Sequence, residues 1–377
     1  MKIFKLNEII LQIPNLIFRN RLKFNFEYLP FESKNISWKK KWNFFKAGLN
    51  QYFLPQTPIG YPVIAQVEPA NICNLKCTLC VTSSVTGSRP ATIMPFSTFK
   101  KFIDDVGDYL LLIILWNWGE PFLNPEITEM IEYATKKGIL VHTSTNGNVV
   151  FDDAMAEKIV DSGLTSIVFA MDGATQETYE KYRVGGDLER IKENIRTLVR
   201  TKKKKNSHFP QITLRFVAMR QNEEEWREVE KYAHELGVDL FSIKSVDMPD
   251  SRGEHLDTLY RPENEDFRRY DYEKDSFIRK KKKFVCMRPW KRITLDAMGE
   301  VISCEYDYKN LYSWGNIKEK NNVMDAWKSK EGNLFRKKFN KGHNSFEHCV
   351  ICTYKNISIE QCIICAYRVG QAKNVGN

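Results

Sequence analysis

The chain has 377 residues, 42% of them hydrophobic and 28% charged, with 57 Lys/Arg against 47 Asp/Glu for a formal charge of +10. That is enough apolar material for one large domain and a smaller one, and it excludes intrinsic disorder as the general state. No apolar run approaches the ~20 residues that span a bilayer, and the nine cysteines, odd in number and grouped at CxxC spacing, suit metal ligation in a reducing compartment better than a disulfide framework.

The charge is concentrated at the start, where residues 1–60 hold 10 Lys/Arg, 3 Asp/Glu and 12 aromatics in stretches such as MKIFKLNEIILQIPNLIF and KKKWNFFKAGLNQYF. Basic and aromatic residues at rough helical spacing suit an interfacial helix on an anionic membrane surface. The preferred expectation is an arm that packs its aromatics on the main body and leaves its lysines in water. No strand-rich pattern of the kind a peptide-recognition module needs is evident there. No small-residue cleavage site follows the first apolar stretch, so the expected location is the cytoplasm, with peripheral membrane contact as the alternative.

From Tyr61 onward short apolar runs alternate with amphipathic stretches. YPVIAQVE (61–68) reads as a strand, and PFSTFKKFIDDVGDYL as a helix opened by Pro95. LLLIILW (ending at Trp116), ILVHTST (139–145), TSIVFAMD (165–172), ITLRFVA (212–218) and VDLFSIK (238–244) repeat the strand signal. PEITEMIEYATKKG, DDAMAEKIVDSG, DLERIKENIRTLVRTKKK and EEEWREVEKYAHELG lie between them as predicted helices. Near-continuous apolar strands alternating with helices predict a parallel sheet covered by helices. The expected fold class is α/β: a partial (β/α)6 TIM-like barrel with a small C-terminal cysteine-rich α+β domain. In such a barrel chemistry sits at the C-terminal ends of the strands. The expected division is a basic, aromatic segment over 1–60, a core over 61–250, a charge-dense linker over 251–283 and a cysteine-rich unit over 284–370. RKKKK at 279–283 reads as a solvated linker face.

CNLKCTLC follows the first core strand and carries Cys73, Cys77 and Cys80. Three thiolates at CxxxCxxC spacing can hold three corners of a cuboidal 4Fe-4S cluster and leave one iron open. A zinc site completed by a distant residue is the alternative. The cysteines are followed by WNWGEPFLN at the second strand end, TSTNGN at the third and AMDGATQETYEKYRVGG at the fourth. This combination resembles the radical SAM superfamily over roughly residues 60–250.

The resemblance implies that Cys73, Cys77 and Cys80 ligate the cluster and that the open iron chelates S-adenosylmethionine (SAM). Trp118, Gly119, Glu120 and Pro121 match the family's GGEP motif, with Trp118 in its first place, and would lie along the methionine part of SAM. Ser144 and Asn146 would reach its ribose or carboxylate, and Asp172 and Arg183 are similar to polar positions that contact SAM or substrate. Two positions depart from the pattern. Leu79 stands where an aromatic usually lies near adenine, and Ala170 stands where a serine often precedes the Asp-Gly pair.

In the tail, CMRPWKRITLDAMGEVISC from Cys286 to Cys304, then WGNI and Cys349-x2-Cys352, resembles the SPASM/Twitch extension of radical SAM enzymes. Alternation in RITLDAMGEVISC predicts a hairpin turning near Met298-Gly299. The resemblance implies that Cys286, Cys304, Cys349 and Cys352 close one auxiliary iron-sulfur cluster. Cys362 and Cys365 are left over, and two alternatives stay open: six tail cysteines split over two clusters, or zinc at Cys349, Cys352, Cys362 and Cys365.

The implied activity is reductive cleavage of SAM to a 5'-deoxyadenosyl radical that takes hydrogen from an unidentified substrate, whether peptide, sugar or lipid-linked, in an oxidation or radical rearrangement. The implied partner is an electron donor such as flavodoxin or ferredoxin. A zinc-dependent nucleic-acid-binding protein, with basic segments on phosphates, is the alternative from another class, and no nucleic acid is expected under the main reading. His142 is expected to be a packed core residue. No glycine-rich phosphate or dinucleotide loop is present.

Overall fold

The computed structural model describes residues 13–84, 89–248, 254–280, 282, 286–355, 357 and 363–370. A hairpin of β1 (Leu22–Phe26) and β2 (Leu29–Ser33) precedes helix α1 (Trp38–Phe53). The alternation of LKFNF and LPFES buries every second residue. Glu27 and Tyr28 at the tip both take positive φ, 52° and 61°, as a type I′ hairpin turn requires. Sequence reasoning saw no strand-rich pattern here because each run lasts only five residues and the turn pair is Glu-Tyr rather than Asn-Gly.

Six parallel strands follow in chain order: β3 (Ile64–Val67), β4 (Leu112–Ile114), β5 (Leu140–Thr145), β6 (Ser166–Ala170), β7 (Gln211–Ala218) and β8 (Leu240–Ser245). Between them run α2 (Phe96–Val106), α3 (Ile127–Lys136), α4 (Asp153–Asp161), α5 (Gln176–Tyr182), α6 (Leu188–Lys204) and α7 (Trp226–Leu236). Asp152, Thr175 and Asp187 cap α4, α5 and α6 by accepting from the backbone of Met155, Thr178 and Arg190. The strand residues facing the helices are mostly apolar, among them Ile113, Val141, Ile167, Leu214 and Ile243 of the main core, with Thr143, Thr145 and Ser245 as the polar exceptions. The opposite, inward face mixes apolar and polar groups.

The C-terminal unit continues the same sheet. The predicted hairpin is present as β9 (Arg292–Leu295) and β10 (Glu300–Ile302), with Gly299 at φ 93° in its turn. β10 pairs with β11 (Ser313–Asn316), while β9 pairs in parallel with β3. At the other edge β12 (Ile363–Arg368) runs antiparallel to β8, so the described residues form one ten-stranded sheet. Trp314 and Trp327 from the C-terminal unit share the main core with Ala65 and Val67 of β3.

The β1–β2 hairpin closes the barrel interior at the N-terminal ends of the strands. Its Phe24, Phe26 and Phe31 join Ile64, Leu112 and Leu240, each the first residue of its strand, in a second core. Phe26 and Phe31 meet the buried His142 ring edge-on at 5.7 and 5.4 Å. His142 is thus the packed core residue expected, and burial holds its imidazole down at about 3.

The expected burial of aromatics holds for Phe24, Phe26 and Phe31 of this hairpin, and in α1 the expectation holds for buried Phe44 and exposed Lys39 but not for the residues that follow. Lys40 is buried and donates to the carbonyls of Lys137 and Gly138 at the end of α3, at 3.3 and 3.0 Å. Lys41 donates to Ile17 O at 3.1 Å. Trp38, Trp42, Leu49, Tyr52 and Phe53 are left exposed. Arg279 corrects the reading of 279–283 as a solvated face, since it lies in a buried ion pair with Asp257 at 2.7 Å.

Candidate active site

The loop from Cys73 to Cys80 leaves β3 at its C-terminal end and is clamped by the segment after α5. Lys76 N donates to Val184 O (3.0 Å) and Thr78 N to Tyr182 O (3.2 Å). Within the loop, Leu75 N points at Cys73 Sγ (3.4 Å) and Cys80 N bonds Cys77 O (3.1 Å). Burial pushes the Cys73 thiol up to about 11 and raises that of Cys77, and the neighbouring cysteines add to both shifts. Such thiols keep their protons unless a cation replaces them.

The residues singled out at the strand ends converge on this loop. Asn146, just beyond β5, donates to Asn74 Oδ1 at 2.8 Å and lies 3.5 Å from Cys73 Sγ. Arg183 Nε donates to the fully buried Asp172 at 2.6 Å, while its Nη1 lies 3.7 Å from Cys77 Sγ. Asp172 also accepts from Val217 N of β7 at 2.8 Å. A positive charge is therefore held by a carboxylate against one thiol, an arrangement that favours the thiolate.

Gly119 and Glu120 shape the neighbouring turn. Gly119 has φ 103°, and a Cβ there would meet Ala70 O at 2.4 Å and Ile72 O at 2.8 Å. Glu120 is buried and its carboxylate is spent inside the protein, accepting from Thr145 Oγ1 (2.8 Å), Asn146 N (2.7 Å) and Phe122 N (3.1 Å). It thereby ties the end of β4 to the end of β5. Pro121 opens a short 3-10 turn. Ser144 points from β5 beside Val168 and is half-buried.

Trp118 also reaches the C-terminal unit. Its indole Nε1 donates to Glu305 O of the C-terminal unit at 2.6 Å, and its ring packs on Tyr308 at 4.8 Å. Trp118 and Tyr308 border a cavity of about 880 Å³ that also includes Cys73, Lys76 and Arg89. Sequence reasoning missed Glu68 and Arg89, which form a bidentate pair at 2.8 and 3.0 Å. Glu68 also accepts from Trp118 N and Ala297 N, joining both units. The only local sign of it is a carboxylate immediately after an apolar strand. Leu79 packs with Met219, Val246, Met248 and Tyr270 in a small core of its own.

A second group of thiols gathers in the C-terminal unit. Cys286, Cys304, Cys349 and Cys352 line one small cavity together with Arg288 and His348. Burial raises Cys286 and pushes Cys352 up to about 12, with Cys304 close enough to add to both. Arg288 forms an ion pair with Glu305, which Arg292 also approaches at 3.3 Å. Cys365 lies on β12, opposite Ile243 of β8, and does not border this cavity. Cys362 lies outside the described residues.

Two family models match the chain: the radical SAM superfamily over residues 67–240 and an iron-sulfur cluster-binding domain, SPASM, over 286–353. The chain belongs to the radical SAM superfamily. It is 25% identical over 317 residues to the tungsten-containing aldehyde ferredoxin oxidoreductase cofactor-modifying protein of Pyrococcus furiosus, covering 77% of this chain and 87% of that protein. It is 28% identical over 222 residues to the AdoMet-dependent heme synthase of Methanosarcina barkeri, covering 59% of this chain and 61% of the relative. The crystal structure of Streptococcus suis SuiB superposes with a TM-score of 0.56 at 15% identity, over 95% of this chain and 84% of that one, which establishes the shared fold. This radical SAM protein is accordingly an enzyme whose cofactors are SAM, a 4Fe-4S cluster and the auxiliary iron-sulfur centre of its SPASM domain. The zinc-dependent nucleic-acid-binding alternative accounts for neither family match. Among the described residues no helix is long and apolar enough to cross a membrane.

Proposed function

We propose that Cys73, Cys77 and Cys80 hold the SAM-binding cluster and that Cys286, Cys304, Cys349 and Cys352 hold one auxiliary cluster. The donor sets fit: each is all-thiol and placed beside a guanidinium that offsets negative charge. When bound, the first cluster supplies an electron to SAM, whose cleavage yields methionine and a 5'-deoxyadenosyl radical that takes a hydrogen atom from the substrate. The protein's own residues position and shield. Arg183 holds its charge against Cys77, Asn146 ties the loop to β5, Glu120 fixes the turn after β4, and Gly119 lets that turn approach Ala70 and Ile72. Ser144, Asp172 and Pro121 complete the surroundings of SAM. The observation that carries this reading is the contact of Asn146, just beyond β5, and Arg183, at the C-terminal end of α5, with the sulfurs of one loop.

Anaerobically reconstituted full-length enzyme with dithionite is expected to form 5'-deoxyadenosine from SAM. The triple Cys73/Cys77/Cys80→Ala variant is expected to form none, and equal product from both proteins would refute the assignment. The physiological reductant is a low-potential donor such as flavodoxin or ferredoxin. The enzyme works in the cytoplasm as an oxidoreductase-type catalyst. It also touches an anionic membrane surface through the exposed aromatic face of α1, where Lys46 lies 5.4 Å over the Trp42 ring. By their names the relatives do different things, one modifying an enzyme's cofactor and the other synthesising heme. The substrate is therefore better sought in the barrel.

A further inference from the structure

The inward faces of β5 to β8 carry polar side chains that the protein leaves without partners. Both ring nitrogens of His142, the hydroxyls of Ser166, Thr213 and Ser242, and Nε and Nη2 of Arg215 are buried with no hydrogen bond. Arg215 is 5% exposed and Ser242 fully buried. Register sets these two side by side, Arg215 of β7 against Ser242 of β8, and places Lys244 against Val217 one pleat further on. Residues two apart on a strand share a face, so Arg215, Ser242 and Lys244 form one patch on the barrel's inner wall.

One edge of the Arg215 guanidinium is taken, because Nη1 donates to Glu27 at the tip of the floor hairpin at 2.6 Å. The other edge faces no acceptor. Glu27 lies in the field of both Arg215 and Lys244, so a single carboxylate serves two cations there, and Lys244 also lies within range of Asp247. A buried guanidinium with an open Nε/Nη2 edge, a hydroxyl and an ammonium is a donor set for an oxyanion, which a guanidinium grips through two parallel hydrogen bonds. Along the strands, Lys244 lies on the cysteine-loop side of Arg215 and Ser242. Val217, the strand neighbour of Lys244, donates its N–H to Asp172, the carboxylate that holds Arg183 against Cys77.

We propose that the substrate carries an oxyanion, a carboxylate or a phosphate, and that Arg215, Ser242 and Lys244 bind it inside the barrel with its reacting carbon directed toward the cysteine loop. This rests on the reading that the barrel interior of this radical SAM enzyme is its substrate chamber. Substrates without an anionic end leave the guanidinium edge unpaired and are disfavoured. Glu27 closes the floor behind the anion and prevents Arg215 from rotating away from it.

Reconstituted full-length enzyme, saturated with SAM, is titrated with inorganic phosphate and separately with acetate, against chloride at equal ionic strength, by calorimetry. One of the two is expected to bind saturably at a single site, and which one does so identifies the group as phosphate or carboxylate. Lys244→Gln and Arg215→Gln are each expected to weaken that binding at least about tenfold. Arg215→Gln removes the partner of Glu27 and so also weakens the fold, whereas Lys244 is only half-buried, so Lys244→Gln by itself decides. Saturable binding unchanged in Lys244→Gln, or no saturable binding of either anion, overturns the proposal. Wild-type 5'-deoxyadenosine formation is measured in the same preparation. Its loss counts against the assigned cluster chemistry, whereas SAM cleavage without anion binding counts against the oxyanion site alone.

Discussion

Gly119 shows how a single residue carries the turn that shapes the site. Its φ of 103° is disfavoured for any side chain, and an added Cβ would lie 2.4 Å from the backbone oxygen of Ala70, an atom that cannot rotate away. Gly119→Ala should therefore cost more than about 2 kcal/mol or displace the segment before Cys73. A melting temperature several degrees lower, with 5'-deoxyadenosine formation down at least about tenfold, is expected, and a variant matching wild type in both would remove the close-approach argument. The neighbouring residues divide between legible and hidden. The cysteine loop was readable because its three thiols lie within eight consecutive residues. The indole bond of Trp118 to Glu305, 187 positions away, stayed hidden, because no local pattern announces such a bond. Leu79 sits in an apolar pocket of Met219, Val246 and Met248, so the missing aromatic is matched by a small core rather than by a gap.

The amphipathic elements were legible where their apolar face is the buried one. The helices between β3 and β8 were found from apolar periodicity because that face packs on the sheet. Helix α1 breaks the rule, burying Lys40, Lys41, Asn43 and Asn50 against backbone carbonyls while Trp38, Trp42, Leu49, Tyr52 and Phe53 face outward. Asn50 accepts from Ile59 N and donates to Gly60 O, and this fixes the entry into β3. An exposed stripe of aromatics with lysines at its margin is suited to a lipid headgroup layer. Full-length enzyme should float with vesicles containing phosphatidylserine, and a Trp38/Trp42/Tyr52→Ser variant should bind at least about tenfold less. Equal flotation of the two proteins would eliminate the membrane contact. Substitution is a cleaner test than removing residues 1–50, because that deletion also takes away the β1–β2 floor.

Among the described residues one ten-stranded sheet runs through both the barrel and the C-terminal unit. β9 is hydrogen-bonded to β3, and Trp314, Trp327 and Val301 share a core with Ala65 and Val67. A chain ending at residue 283 would bare the β3 edge and that core, an aggregation-prone surface. The full reconstituted enzyme should unfold in urea in one transition, with circular dichroism and cluster absorbance changing together, and the truncated chain should be insoluble. Two separated transitions, or a soluble folded truncation, would contradict this continuity. By itself the sequence determined the strand-helix alternation, the cysteine loop after the first core strand, the C-terminal hairpin and the family, because each is written in residues close together in the chain. Only the tertiary structure decided that a hairpin from residues 22–33 floors the barrel, that β9 docks on β3, and that Arg215 meets Glu27 across 188 positions. Periodicity reports which face of an element is buried but not what buries it, and a polar residue on an inner wall has no meaning until the opposite wall is in place.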